Sequence, residues 1–62
     1  MTVHADIPGY VTVRRGRETI CAASVLADGH TLRDLEFMRP EYRKSNRTRQ
    51  AACDALKKAG YK

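Results

Sequence analysis

The sequence lacks tryptophan, has only one phenylalanine, and contains no apolar run near the ~20 residues needed to cross a membrane. It also lacks a Cys-x-x-Cys pair, and His4 and His30 are distant from both cysteines, so no metal site is expected. Cys21 and Cys53 are expected to be reduced, small, buried side chains. The N-terminal residues do not resemble a signal peptide. These absences predict a cytoplasmic protein with no membrane partner and no cofactor.

The chain has 62 residues, which corresponds to one small domain with a marginal core. Hydrophobic residues make up 42% of it, enough for a folded domain, and with few aromatics the core must rest on aliphatic side chains. The formal net charge is +5 and the isoelectric point is about 9.7. This balance favours nucleic acid, a phosphorylated ligand or an acidic protein surface as the partner.

The pattern predicts an α+β domain built on a three-stranded antiparallel meander. Residues 1–9 are expected to be an N-terminal arm, separated by Pro8-Gly9 from the domain at 10–62. Residues 10–14 alternate as a half-buried strand, and 15–17 form a hairpin turn with a positive φ at Gly16. Residues 19–26 predict a central strand, and 31–38 a third strand that ends before Pro40.

The central strand is apolar on both faces, and this predicts self-association. Ile20, Ala22 and Leu26 are expected on one face, with Cys21, Ala23 and Val25 on the other. A single helix covers one face, so we expect a homodimer through the uncovered face or an edge strand. In the alternative, the arm at 1–9 folds back over that face. In the third strand, Leu35 and Phe37 are expected to share a face opposite Leu32 and Met38.

One C-terminal helix is predicted after the strands, which completes a β-β-β-α order. Ser45 or Asn46 is expected to cap its N-terminus, and Gly60 to end it. Small and apolar residues at helical spacing form the stripe that packs on the sheet: Ala51, Ala52, Ala55, Leu56 and Ala59.

Basic residues crowd the start of this helix, where the backbone already carries partial positive charge. Free backbone N–H groups, arginine side chains and hydroxyls together predict an anion site. Its residues are Arg39, Arg43, Lys44, Ser45, Asn46, Arg47, Thr48 and Arg49. Arg15 and Arg17 in the hairpin turn are expected to add secondary contacts. The alternative is a solvated basic loop in which Ser45 or Asn46 only caps the helix.

The run DLEFMRPEYRKSNRTRQAACDALKKAGYK resembles the core of the GCN5-related N-acetyltransferases. That family places a strand, a turn of the PEYR type and a pyrophosphate-binding loop before a long helix. The upstream run YVTVRRGRETICAASVLADG resembles the two strands that precede them, so the likeness covers about residues 10–62. The resemblance implies a truncated version of that fold, acetyl-coenzyme A as cofactor, and Asp34 as the candidate general base.

Three functional interpretations follow from these features. The first is a binding module that grips a nucleic-acid backbone or an acidic protein through residues 39–49. The alternative is an acetyltransferase-like protein that binds acyl-coenzyme A. A third, prompted by size alone, is a phage- or plasmid-type inhibitor of a host enzyme.

Overall fold

A computed structural model of residues 1–62 shows an α+β architecture with an antiparallel sheet followed by two helices. The strands are β1 (Thr2–His4), β2 (Tyr10–Arg15), β3 (Glu18–Val25) and β4 (Leu32–Phe37), in the order β1-β2-β3-β4. The helices are α1 (Pro40–Lys44) and α2 (Asn46–Lys58). No helix has the length and apolar character needed to span a membrane.

The predicted count of three strands was wrong, because part of the N-terminal segment is itself a strand. β1 pairs antiparallel with β2, and Val3 lies opposite Val13. Val3 also packs against the hydrophobic core, so β1 is an edge strand of the sheet whose inner face contacts the same core as α2. A three-residue strand is too short for alternation to reveal it in the sequence. The segment is therefore not a free arm: β1 belongs to the sheet, and Asp6 and Ile7 line a small pocket together with Tyr10 and Thr12 of β2.

The hairpin predicted between the first two long strands is confirmed. Arg15 pairs with Glu18, and Gly16 between them has a φ of 63°, a value that glycine adopts without strain. The pairing of β2 and β3 slips by one residue beyond Val13, which leaves Ile20 as the extra residue on β3.

A second irregularity lies in β4 and corrects the predicted faces of that strand. Asp34 has a φ of 56°, and the pairing with β3 shifts between Ala22 and Ser24. Two residues of β4 therefore stand opposite one residue of β3, as in a β-bulge. Because a bulge reverses the alternation, Leu32 and Phe37 both pack on the core instead of pointing to opposite faces.

The predicted single helix is two helices, because the PEYR segment forms a short helix of its own. Pro40 stands in the first turn of α1, where its missing N–H is no loss. Ser45 has an extended backbone conformation, which separates α1 from α2, and its side chain caps α2. Gly60, with a φ of 95°, ends α2 as predicted, and the Tyr61 N–H donates to the Leu56 carbonyl beneath it.

The core lies between α2 and the sheet. It consists of two buried valines from β2, two small residues from β3 and two residues from α2: Val11, Val13, Cys21, Ala23, Ala52 and Leu56. The predicted helical stripe is therefore narrower than expected, since Ala51 and Ala59 are exposed. Cross-strand pairs Val11–Ala23 and Val13–Cys21 place these side chains on one face.

The opposite face of the sheet does not show the predicted apolar patch. Ile20 is 0% exposed and Ala22 6% exposed within the single chain, and Leu26 lies beyond the end of β3. The register places polar side chains around Ala22, with Thr12 on one side and Glu36 on the other. The homodimer stays a prediction, but this face no longer supports it.

Candidate anion-binding surface

The structure divides the basic residues that follow β4 between two helix ends of opposite polarity. Arg43 and Lys44 occupy the last turn of α1, where cations interact favourably with the exposed carbonyl groups. Arg47 and Arg49 lie in the first turn of α2, which contains no acidic residue. Only the second pair therefore stands at a helix end that already carries partial positive charge.

The start of α2 is partly occupied by its own side chains. The Thr48 N–H donates to the Ser45 hydroxyl oxygen over 3.2 Å, which confirms Ser45 as the N-cap. The Arg49 guanidinium donates to the side-chain carbonyl of Asn46. These contacts satisfy donors that an anion would otherwise use, so phosphate contacts in this region must come mainly from long side chains.

Helix α1 is held against the β2–β3 hairpin by a set of polar contacts. Arg39 Nε lies 3.1 Å from a Glu18 carboxylate oxygen, and its guanidinium lies 3.7 Å from Glu41. The Arg15 guanidinium carbon lies 5.8 Å from the centre of the Tyr42 ring, in cation–π range. A side-chain hydrogen bond to Glu18 raises the pKa of the Tyr42 phenol.

These contacts join two basic segments that are separated in the sequence. Arg15 and Arg17 come from the end of β2 and the hairpin turn, Arg39 immediately precedes α1, and Arg43 lies within it. All four side chains are exposed, and of these only Arg39 is paired with a carboxylate. The predicted primary and secondary basic residues therefore lie next to each other where Arg39 pairs with Glu18 and Arg15 lies over Tyr42. We call the exposed cations of these joined segments and of the start of α2 the basic surface: Arg15, Arg17, Arg39, Arg43, Lys44 and Arg47.

The remaining predicted positions contribute in other ways. Ser45 and Thr48 are half-buried and belong to the cap of α2, and Asn46 holds Arg49. Asp34 lies exposed at the bulge in β4, and its carboxylate is 3.9 Å from Arg33 Nε. Apart from Arg33, no hydrogen bond or ion pair joins Asp34 to a titratable side chain that could act as its partner in a proton relay.

Sequence reasoning missed the two residues that organise the basic surface. Glu18 is the carboxylate that pairs with Arg39 and so links the hairpin to the start of α1, and Tyr42 supplies the ring beneath Arg15. The available signal was the position of Glu18 directly after a basic turn, where a lone acid suggests a structural ion pair. Its partner could not be identified without the fold.

The segment on which the acetyltransferase resemblance rests forms β4, α1 and α2, so the PEYR segment is a short helix and not a turn. The segment that would contact the coenzyme pyrophosphate is the capped start of α2 described above. No family model, no curated protein and no solved structure matches the chain, so the resemblance stays a prediction.

Proposed function

We propose that this protein is a small binding module that grips the phosphate backbone of a nucleic acid through the basic surface. The exposed arginines of the hairpin turn and of α1 contact the phosphates. Arg47, at the start of α2, extends the contact. The proposal needs no catalytic group and no cofactor.

The observation that carries this proposal is the junction between the hairpin and α1. Arg39 spans from α1 to Glu18, and Tyr42 lies under Arg15. These contacts join the end of the β2–β3 hairpin to α1. Their junction pre-positions several cations on one surface, which reduces the entropy lost when a charged partner binds.

The composition of the surface favours phosphate over carboxylate-rich protein. Five of its six cations are arginines, and the planar guanidinium donates two hydrogen bonds to one phosphate group. Apart from Pro40 and Tyr42, α1 consists of charged residues, whereas a protein–protein interface typically has an apolar centre. Such a surface binds the phosphates of a nucleic acid with little dependence on its base sequence.

The test is a titration of a fluorescently labelled DNA duplex by fluorescence anisotropy at several salt concentrations. The double variant Arg17→Ala/Arg43→Ala removes one cation from each basic segment, and neither side chain makes a hydrogen bond or ion pair within the fold. We expect weaker binding and a plot of log affinity against log salt that is shallower by about 1.8, or 0.9 per lost phosphate contact.

The matched control is Lys57→Ala/Lys58→Ala, which removes the same charge from the C-terminal turn of α2. We expect this control to keep the salt slope of the wild type. Equal losses in the two variants would contradict the proposal, because net charge alone would then explain binding. Binding of acetyl-coenzyme A in a parallel titration, with no binding of duplex DNA, would favour the acetyltransferase alternative instead.

A further inference from the structure

A second surface, distant from the basic surface, lies where β4 meets the C-terminal half of α2. It is an open groove of about 200 Å³. Its apolar lining comes from the edge strand, from α2 and from the segment after α2: Leu32, Leu35, Cys53, Leu56 and Tyr61. Leu35 is 39% exposed here, on a strand that has no neighbour on its outer side in the sheet.

The outer edge of β4 already accepts one backbone pairing, which shows the direction that a strand takes there. The Lys62 N–H donates to the His30 carbonyl over 2.8 Å, and the Leu32 N–H donates to the Lys62 carbonyl over 3.0 Å. One residue that bonds to positions 30 and 32 on its neighbour is the pattern of a parallel pair. An added strand that continues along Leu35 and Phe37 would therefore run parallel to β4.

The charged residues of the groove are all basic. Arg33, Lys57 and Lys62 line it, and no acidic side chain does. Arg33 is paired with Asp34 at 3.9 Å, whereas neither lysine has a carboxylate partner. An apolar floor with a basic rim is complementary to a segment that carries both apolar and acidic side chains.

We propose that this groove binds an extended peptide segment of a partner protein, in which apolar and acidic residues alternate, as a parallel strand added to β4. Alternate side chains of such a strand point to opposite faces, so one set fills the groove while backbone hydrogen bonds extend the sheet. A second copy of this chain fits less well, because it would bring like charges to a basic rim.

The test uses a blocked hexapeptide of alternating valine and glutamate and follows its binding to the full chain by isothermal calorimetry and amide NMR shifts. We expect saturable binding with shifts along β4 and in Tyr61. We expect Leu35→Asp to weaken binding by about tenfold or more, because it removes apolar contact from the groove and adds a like charge for the peptide.

The chain supplies closely matched controls for both parts of the groove. Leu26 is 40% exposed, against 39% for Leu35, but lies outside the groove, so Leu26→Asp should bind the peptide as the wild type does. Lys58 is the neighbour of Lys57 on α2 and does not line the groove. Lys57→Glu should therefore weaken binding several-fold, while Lys58→Glu should have a much smaller effect.

Cys53 provides an independent readout within the groove. It is half-buried there, whereas Cys21 is fully buried and burial raises the pKa of its thiol to about 11. Alkylation by iodoacetamide at neutral pH should therefore modify Cys53 alone, and bound peptide should slow that reaction. Alkylation of the free protein should in turn block the peptide.

Three results would overturn the proposal. The first is equal loss of affinity in Leu26→Asp and Leu35→Asp. The second is a nitroxide on the peptide N-terminus that broadens Phe37 amide signals instead of those near Leu32, which would mean antiparallel addition. The third is self-association of the free protein that Leu35→Asp abolishes, which would make a second copy the occupant.

Discussion

The basic surface and the groove lie at opposite ends of β3 and differ in what surrounds their cations. The pair Arg15–Glu18 marks one end of the strand and Val25–Leu32 the other, a separation of about 23 Å at 3.3 Å per residue. At the first end, arginines are arranged by an acid and a tyrosine ring, with no apolar floor. At the second, Arg33 and two lysines surround an apolar floor in which Leu35 is exposed.

Net charge therefore does not identify a partner by itself. A charge of +5 is compatible with either surface, but an apolar floor adds a contribution that salt does not screen. Binding at the basic surface should collapse as salt rises, whereas binding at the groove should persist.

Leu56→Ala should disrupt the groove through the scaffold that supports it. Leu56 is 5% exposed in the core and also lines the groove. Truncation of a buried leucine costs about 2–5 kcal/mol, comparable with the whole stability of a domain this small. Urea unfolding followed by circular dichroism measures this, with Leu26→Ala as the exposed control. A loss of less than about 1 kcal/mol would contradict the assigned core.

Ionisation of the buried Cys21 thiol should lower the stability of the fold at alkaline pH. Burial, with a smaller effect of the Cys53 thiol, raises the pKa of Cys21 from 9.0 to about 11. A group whose pKa is raised by folding stabilises the folded state below its unfolded pKa. Its contribution is lost as pH rises from 9 to 11, by at most about 3 kcal/mol.

Urea unfolding at pH 8, 9, 10 and 11 tests this expectation. Tyrosines and lysines also titrate in that range, so the informative quantity is the difference between the variant and the wild type. Cys21→Ala should flatten the decline in stability. The same slope in the variant and the wild type would show that Cys21 is not buried as described.

Ser45→Ala should weaken α2 at the end next to the basic surface. The Ser45 hydroxyl accepts from the Thr48 N–H, and loss of such a cap costs about 1 kcal/mol. Ser45→Thr should retain most of the stability, since it keeps the acceptor. Thermal unfolding measures both variants. If Ser45→Ala were neutral, the donor at Thr48 would be satisfied by water instead.

Arg39→Ala should have the smallest effect on stability but should measurably increase the mobility of α1. Its side chain is 60% exposed, so the pair with Glu18 contributes less than about 1 kcal/mol. Loss of that pair should nevertheless loosen α1 from the hairpin, which amide hydrogen exchange in residues 40–44 would detect. Arg33→Ala, another exposed ion-pair arginine, is the control and should leave that exchange unchanged.

The sequence predicted the fold where local rules decide and failed where single residues shift the register. Alternation in 10–14, the glycine turns, Ser45 as cap and Gly60 as terminator were all readable, and all are present. The bulge at Asp34 was not readable, because an aspartate in left-handed conformation leaves no mark in a hydrophobic pattern. Missing it placed Leu32 on the wrong face.

The candidate site was predictable in composition but not in arrangement. The basic residues at 39–49 and 15–17 are evident in the sequence, yet their meeting depends on the contacts of Glu18 and Tyr42 across the fold. Of the basic residues expected at the start of a helix, Arg47 and Arg49 lie there. Arg43 and Lys44 instead lie at a helix C-terminus, because the chain forms α1 before α2. A five-residue helix is below the length at which periodicity identifies one.

The most direct measurement is amide NMR mapping of the chain titrated with duplex DNA at low salt. The account predicts the largest shifts at residues 15–17 and 39–47, loss of those shifts at high salt, and little change at Leu32, Leu35 and Tyr61. Uniform shifts over the whole surface, or shifts centred on the groove, would contradict the central claim that the junction of the hairpin and α1 forms the anion-binding surface.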